Sequence, residues 1–144
     1  MKVDWLLLAE GVGQDSKGAL TAIGLSQNVL AAPSLPATTK RAVIAHLVEE
    51  AGGLKLGDKI SVKVRVTSPA GEVISAQNAQ AIVGGIQWPD LPMSVDLPVE
   101  ILLNVSEYGA YRFEVFVQPV GADEMKGEVG FYVVEGPGTE VAAS

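Results

Sequence analysis

The side chain best suited to move a proton near neutral pH occurs once in this chain, as His46. There is no second histidine and no cysteine, so a His- or thiolate-based zinc or iron centre lacks a ligand set. A Ser-His-Asp hydrolase could draw on His46, but no GxSxG turn presents a nucleophile. His46 lies in an apolar run, RAVIAHLVEE, where a satisfied, partly buried imidazole is expected rather than a general base. Residues 11–18, GVGQDSKG, suggest a phosphate cradle at first sight. A P-loop needs Gly-Lys followed by Ser or Thr opening a helix. Here Lys17 precedes Gly18 and a strand-like segment follows, so turn chemistry accounts for the glycines. The adjacent acids Glu49-Glu50 and Asp123-Glu124 would point to opposite faces of a strand, which leaves them as solvated turn residues. A carboxylate pair drawn from distant positions stays open, because the separation a glycosidase needs is spatial. No D-x-D-x-D-G loop argues for calcium. No cofactor is implied.

Trp88 is different in kind. It sits in GGIQWPDLP, outside any regular alternation, with Asp90 two residues on. Sandwich loops carry binding function, and tryptophan is enriched at interface hot spots. Trp88 and Asp90 are therefore the candidate binding residues. The competing reading has Trp88 folding back to plug one end of the core. Trp5, in an apolar strand, is expected in the core.

Elements that could position these residues follow from period-two alternation. Residues 107–118, EYGAYRFEVFVQ, form the organising stretch. Tyr111, Phe113, Val115 and Val117 share one face; Arg112, Glu114 and Gln118 share the other, with Phe116 as the exception. A central strand entered through a turn at residues 107–109 is expected. Residues 59–67, KISVKVRVT, alternate most cleanly, and the turn at residues 68–71 returns the chain as a hairpin over residues 72–80. Residues 3–10 and 40–50 are continuous apolar runs that suggest burial on both faces, with a short helix as an alternative for 46–51. Residues 19–31 form one strand, with Gly24 at a bulge and a helix as the competing reading. Residues 32–39 are a proline-rich crossing. Residues 93–105 alternate again, and Pro98 inside them points to an edge or a bulge. Residues 128–135 close the fold, and residues 136–144 form a frayed tail.

About eight short strands with regular turns indicate an all-β, two-layer antiparallel β-sandwich with Greek-key connections, or, second, a closed barrel. One domain over residues 1–135 fits the length. The matching features GALTAIGLSQNVL, RAVIAHLVEE, KISVKVRVTSPAGEVI, YGAYRFEVFV and GEVGFYVV resemble an uncharacterised family of small bacterial sandwich proteins. That resemblance implies a fold and no activity.

Composition limits the partners. Net charge is −7, with Lys and Arg scattered singly along the sequence, which disfavours nucleic acid and anionic lipid. No window approaches the roughly 18 uninterrupted apolar residues of a membrane-spanning helix. The cysteine-free chain fits the cytoplasm. The expectation is a non-enzymatic binding or assembly module. The rival is a ligand-binding protein or hydrolase with a pocket made by remote loops. Residues 5–9 and 130–134 carry no charge, so the first and last strands are expected as exposed edges inviting self-association, most simply a two-fold dimer, or a protein partner.

Overall fold

The computed structural model describes residues 1–16, 19–49, 53, 55–83 and 90–137. Nine strands account for these residues: β1 (Lys2–Gln14), β2 (Leu20–Leu25), β3 (Val29–Ala32), β4 (Ala37–Glu49), β5 (Lys59–Thr67), β6 (Val73–Ile82), β7 (Met93–Val105), β8 (Gly109–Pro119) and β9 (Met125–Glu135). They form a four-stranded sheet, β2-β1-β4-β7, and a five-stranded sheet, β3-β9-β8-β5-β6. No helix in these residues is long and apolar enough to cross a membrane. The inner faces of the two sheets enclose one core. Leu8, Val43, Leu47, Ile101 and Leu103 come from one sheet; Ile60, Val64, Tyr111, Phe113, Val115 and Phe131 come from the other. Phe131 holds Tyr111 and Phe113 in edge-on contacts, with ring centroids 6.3 and 5.8 Å away.

The organising stretch lies where alternation places it. β8 runs between β5 and β9, and Tyr111, Phe113, Val115 and Val117 are buried. The Tyr111 hydroxyl donates to the Glu107 carbonyl (2.7 Å), and burial pushes that phenol up. A tyrosine bonded back to the backbone at a strand entry is a known feature of Greek-key corners. The connectivity agrees, since β4 pairs with β7 in one sheet while β5 pairs with β8 in the other.

Five expectations are corrected. Residues 19–31 do not form one strand. Gly24 and Ser26 both take positive φ, 65° and 59°, and the chain crosses from one sheet to the other between β2 and β3. The Arg41 side chain fixes this crossing. It is almost fully buried, donates through Nε to the Gln27 carbonyl (3.1 Å) and through Nη1 to Thr39 Oγ1 (2.6 Å), and lies 5.2 Å over Phe131. Second, the short strand β3 runs parallel to β9, so the sandwich is not wholly antiparallel.

Third, Trp5 is outside the core and 38% exposed. A register shift between Val3 and Trp5 inserts an extra residue, which reverses the phase of alternation. Val3, Leu6 and Leu8 consequently face the core, and Trp5 faces out. Fourth, the uncharged first and last strands are not edges. β1 is flanked by β2 and β4, and β9 by β3 and β8. Fifth, the stretch 11–14 continues β1 and pairs with β2, with Asp15 closing the hairpin through bonds to Ala19 (3.0 and 2.9 Å).

Candidate functional site

Two surface constellations arise from the outer faces of the sheets, and one sheet edge is open. On the four-stranded sheet, Trp5, His46 and Asp96 are direct register partners on β1, β4 and β7. The indole stacks on the imidazole, with centroids 4.6 Å apart and planes 5° from parallel. His46 Nδ1 lies 2.6 Å from Asp96 Oδ1. The imidazole is therefore satisfied and partly buried, as its apolar surroundings predicted. The carboxylate orients the ring and the indole covers one of its faces, a cross-strand arrangement that accounts for all three side chains without a substrate.

On the five-stranded sheet the outer face holds Lys59, Lys63 and Arg65 of β5, Arg112 of β8 and Lys126 of β9. These are five of the ten Lys and Arg in the chain. Residues scattered in sequence are thus gathered in space, because β5, β8 and β9 are neighbours and each contributes alternate positions. Glu114 neutralises part of the cluster. Its side chain is nearly buried and accepts from Arg65 Nε and Nη2 (3.3 and 3.1 Å) and from Thr67 Oγ1 (3.1 Å), with Lys126 Nζ at 2.9 Å. The hydrogen bond from Lys126, then that from Arg65, holds its carboxyl down at about 2, against the opposing pull of desolvation.

Phe116 was the exception on the wet face of β8. Its ring is surrounded by Arg65, Lys126 and Lys63 at 5.2, 5.6 and 5.8 Å, so cation–π contacts explain the exception. Beside it lies a shallow groove of about 330 Å³ lined by Ser61, Lys63, Asn78, Gln80, Phe116 and Gln118, among others.

That groove runs to the edge strand β6. The turn joining β5 to β6 is built by Ser68, whose backbone N–H donates to the Glu72 carbonyl (2.8 Å) and whose Oγ accepts from the Glu72 N–H (3.2 Å), with Gly71 at φ 89°. At the other end Val83 and Asp58 close the hairpin (2.9 Å). One side of β6 pairs with β5 from Lys59↔Ile82 to Val66↔Ser75, without a break. The other side has no strand partner among the described residues.

The remaining edges are each blunted. β7 carries Pro98, Asp96 and Glu100; β3 has four residues; β2 has six and is interrupted by Gly24 at positive φ. β6 is ten residues long, VISAQNAQAI, with neither charge nor proline. Ile74, Ala76, Asn78, Gln80 and Ile82 stand on its outer face, while Ala79 and Ala81 pack against the core. This edge was missed in the sequence, because hairpin partnership with β5 is legible there but the absence of a partner on the far side is not.

Of the binding candidates named from sequence, Asp90 is exposed in a turn before β7, and Trp88 lies outside the described residues. Among the described residues no group of three or more His, Asp and Glu side chains could hold a metal ion. No protein-family model matches the chain, and no curated protein matches it.

Proposed function

We propose that the protein is a non-enzymatic binding and assembly module of the cytoplasm, and that it docks its partner along β6. The observation that carries this reading is the open edge itself: an uncharged ten-residue strand whose outer side has no strand partner among the described residues, in a fold whose other edges are blunted. Such an edge offers main-chain donors and acceptors to an extended chain, and the alternating outer side chains give the contact its selectivity. The cysteine-free composition supports a reducing compartment. The groove beside Phe116 favours a second reading, a small polar ligand held over the ring by Lys63, Asn78 and Gln118.

The test is affinity capture from the native host at matched folded concentration, comparing wild type with Ala76→Lys/Gln80→Lys. Both positions are exposed, so the fold should be kept. A partner recovered by wild type and lost from the double variant is expected. Equal capture by both would remove β6 as the docking edge.

A further inference from the structure

The partner that best fits β6 is β6 of a second copy; this rests on the reading of that edge as the docking site. We infer that two chains join by antiparallel pairing of their β6 strands about a two-fold axis at Asn78. The axis would stand perpendicular to the sheet and merge two five-stranded sheets into one. Three constraints lead to this register. A perpendicular two-fold keeps outer faces outer, so opposed residues must share a face, and their numbers must sum to an even value. The matched segment must not cross the register shift between Val66 and Thr67, where Ile74 is the extra residue and Val73 already stands opposite Thr67. The strand must also be used over nearly its whole length.

Centring on Asn78 satisfies all three. It opposes Ile74 to the partner's Ile82, Ala76 to the partner's Gln80, and Asn78 to the partner's Asn78. On the inner side Ser75 opposes the partner's Ala81, and Gln77 the partner's Ala79. Ile74 and Ile82 are among the exposed large hydrophobics of the chain, and this register places one against the other at both ends of the ladder. The amides of Asn78 and Gln80 lie at the centre, where like residues can exchange hydrogen bonds. A shift of the axis by one position, to Gln77 or Ala79, opposes Ile74 to the partner's Gln80 or carries it beyond the end of β6. Charge gives the same answer. Each chain carries −7, so copies repel in general, yet β6 contributes no charge and imposes no like-charge contact on its own copy. It equally offers no ion pair by which a foreign chain would be preferred. Pro98, Asp96 and Glu100 keep the adjacent edge of the other sheet from pairing, so the contact is confined to one strand from each chain. A dimer of that size is weak, in the micromolar range or above.

The absence of cysteine makes the register directly testable. Opposed residues of an antiparallel pair have Cα atoms about 4.5–5.5 Å apart, within reach of a disulfide. Asn78→Cys should therefore cross-link to itself under mild oxidation. Gln80→Cys and Ala76→Cys should not cross-link alone, since each lies about 13 Å from its own copy, four residues along the strand. Mixed together, they should cross-link. Sedimentation equilibrium supplies the independent measurement. Ala76→Lys/Gln80→Lys opposes lysine to lysine twice and should weaken the dimer by about tenfold. Mixing it with Ala76→Glu/Gln80→Glu should restore association. A wild-type monomer up to millimolar concentration, or cross-linking that favours a position other than 78, would overturn the inference. A monomer that still captures a foreign chain through β6 would leave the docking edge standing and eliminate only its occupant.

Discussion

Glu114 shows how a residue that looks solvated in the sequence becomes structural in the fold. Alternation assigns it to the wet face of β8, and it does point there. What a single strand cannot reveal is that Arg65 and Thr67 arrive beside it from β5 and Lys126 from β9. Phe116 was legible as an exception for the same reason that it was not explicable: its cations come from two other strands. Glu114→Gln should cost about 1–2 kcal/mol at neutral pH, because charge-assisted bonds are replaced by weaker neutral ones. Its pH dependence is more diagnostic. The folded-state carboxyl is depressed to about 2 from an ordinary 4.5, so its contribution is complete above about 4.5 and is lost as pH falls toward 2. Urea midpoints of wild type and variant should keep a constant separation from pH 7 to about 5, then converge below that range. A separation that persisted undiminished to pH 2.5 would show that the charge of Glu114 is not what stabilises this face.

At the scale of elements, the clean alternation of β5, β7 and β8 was readable because each carries one uninterrupted polar–apolar period. Pro98 pointed to an edge or a bulge, and β7 is an edge of its sheet. The failures occurred where the period breaks. One extra residue at Asp4 reversed the faces of β1 and moved Trp5 outward, and two positive-φ residues split the single strand expected over residues 19–31 into β2 and β3. Neither Ser26 nor Asp4 carries a strong sequence signal for what it does. Arg41 is not singled out by the sequence, yet it is the clamp that ties the β2–β3 crossing to β4. Its guanidinium bonds the Gln27 and Lys40 carbonyls and packs on Phe131 of the opposite sheet. Arg41→Leu keeps the apolar stem but removes a donor from those part-buried carbonyls and from the buried Thr39 hydroxyl, at a cost of roughly 3 kcal/mol. Because β3 is held by four register pairs to β9 and by this crossing, its loss should be local before it is global. Amide exchange in residues 29–32 should accelerate more than in β5. Uniform acceleration across both would place Arg41 in the global core instead.

The whole molecule is organised by two pairings between segments far apart in sequence. β4 joins β7 in one sheet and β5 joins β8 in the other, so each sheet is completed only when the second half of the chain arrives. No local pattern encodes that order, which is why fold class was legible and strand adjacency, with it the open edge at β6, was not. The same topology predicts the folding kinetics. Contacts of long sequence separation incur loop-closure entropy before they are rewarded, so folding should take milliseconds to seconds. The four interlocked strands must meet early to fix the topology, whereas β2, at the rim of its sheet, can dock late. Leu103→Ala in β7 and Val115→Ala in β8 remove fully buried side chains and should each cost about 2–4 kcal/mol. Both should act mainly by slowing folding. Leu20→Ala in β2 removes a partly buried side chain that packs on the small outer cluster of Ala9, Ala42 and Ile44. It should leave the folding rate unchanged and speed unfolding. Stopped-flow chevrons of the three variants decide the matter. If Leu20→Ala slowed folding as much as Val115→Ala, the interlocked pairs would not be the nucleus, and the β1–β2 hairpin would have to form before the sheets close.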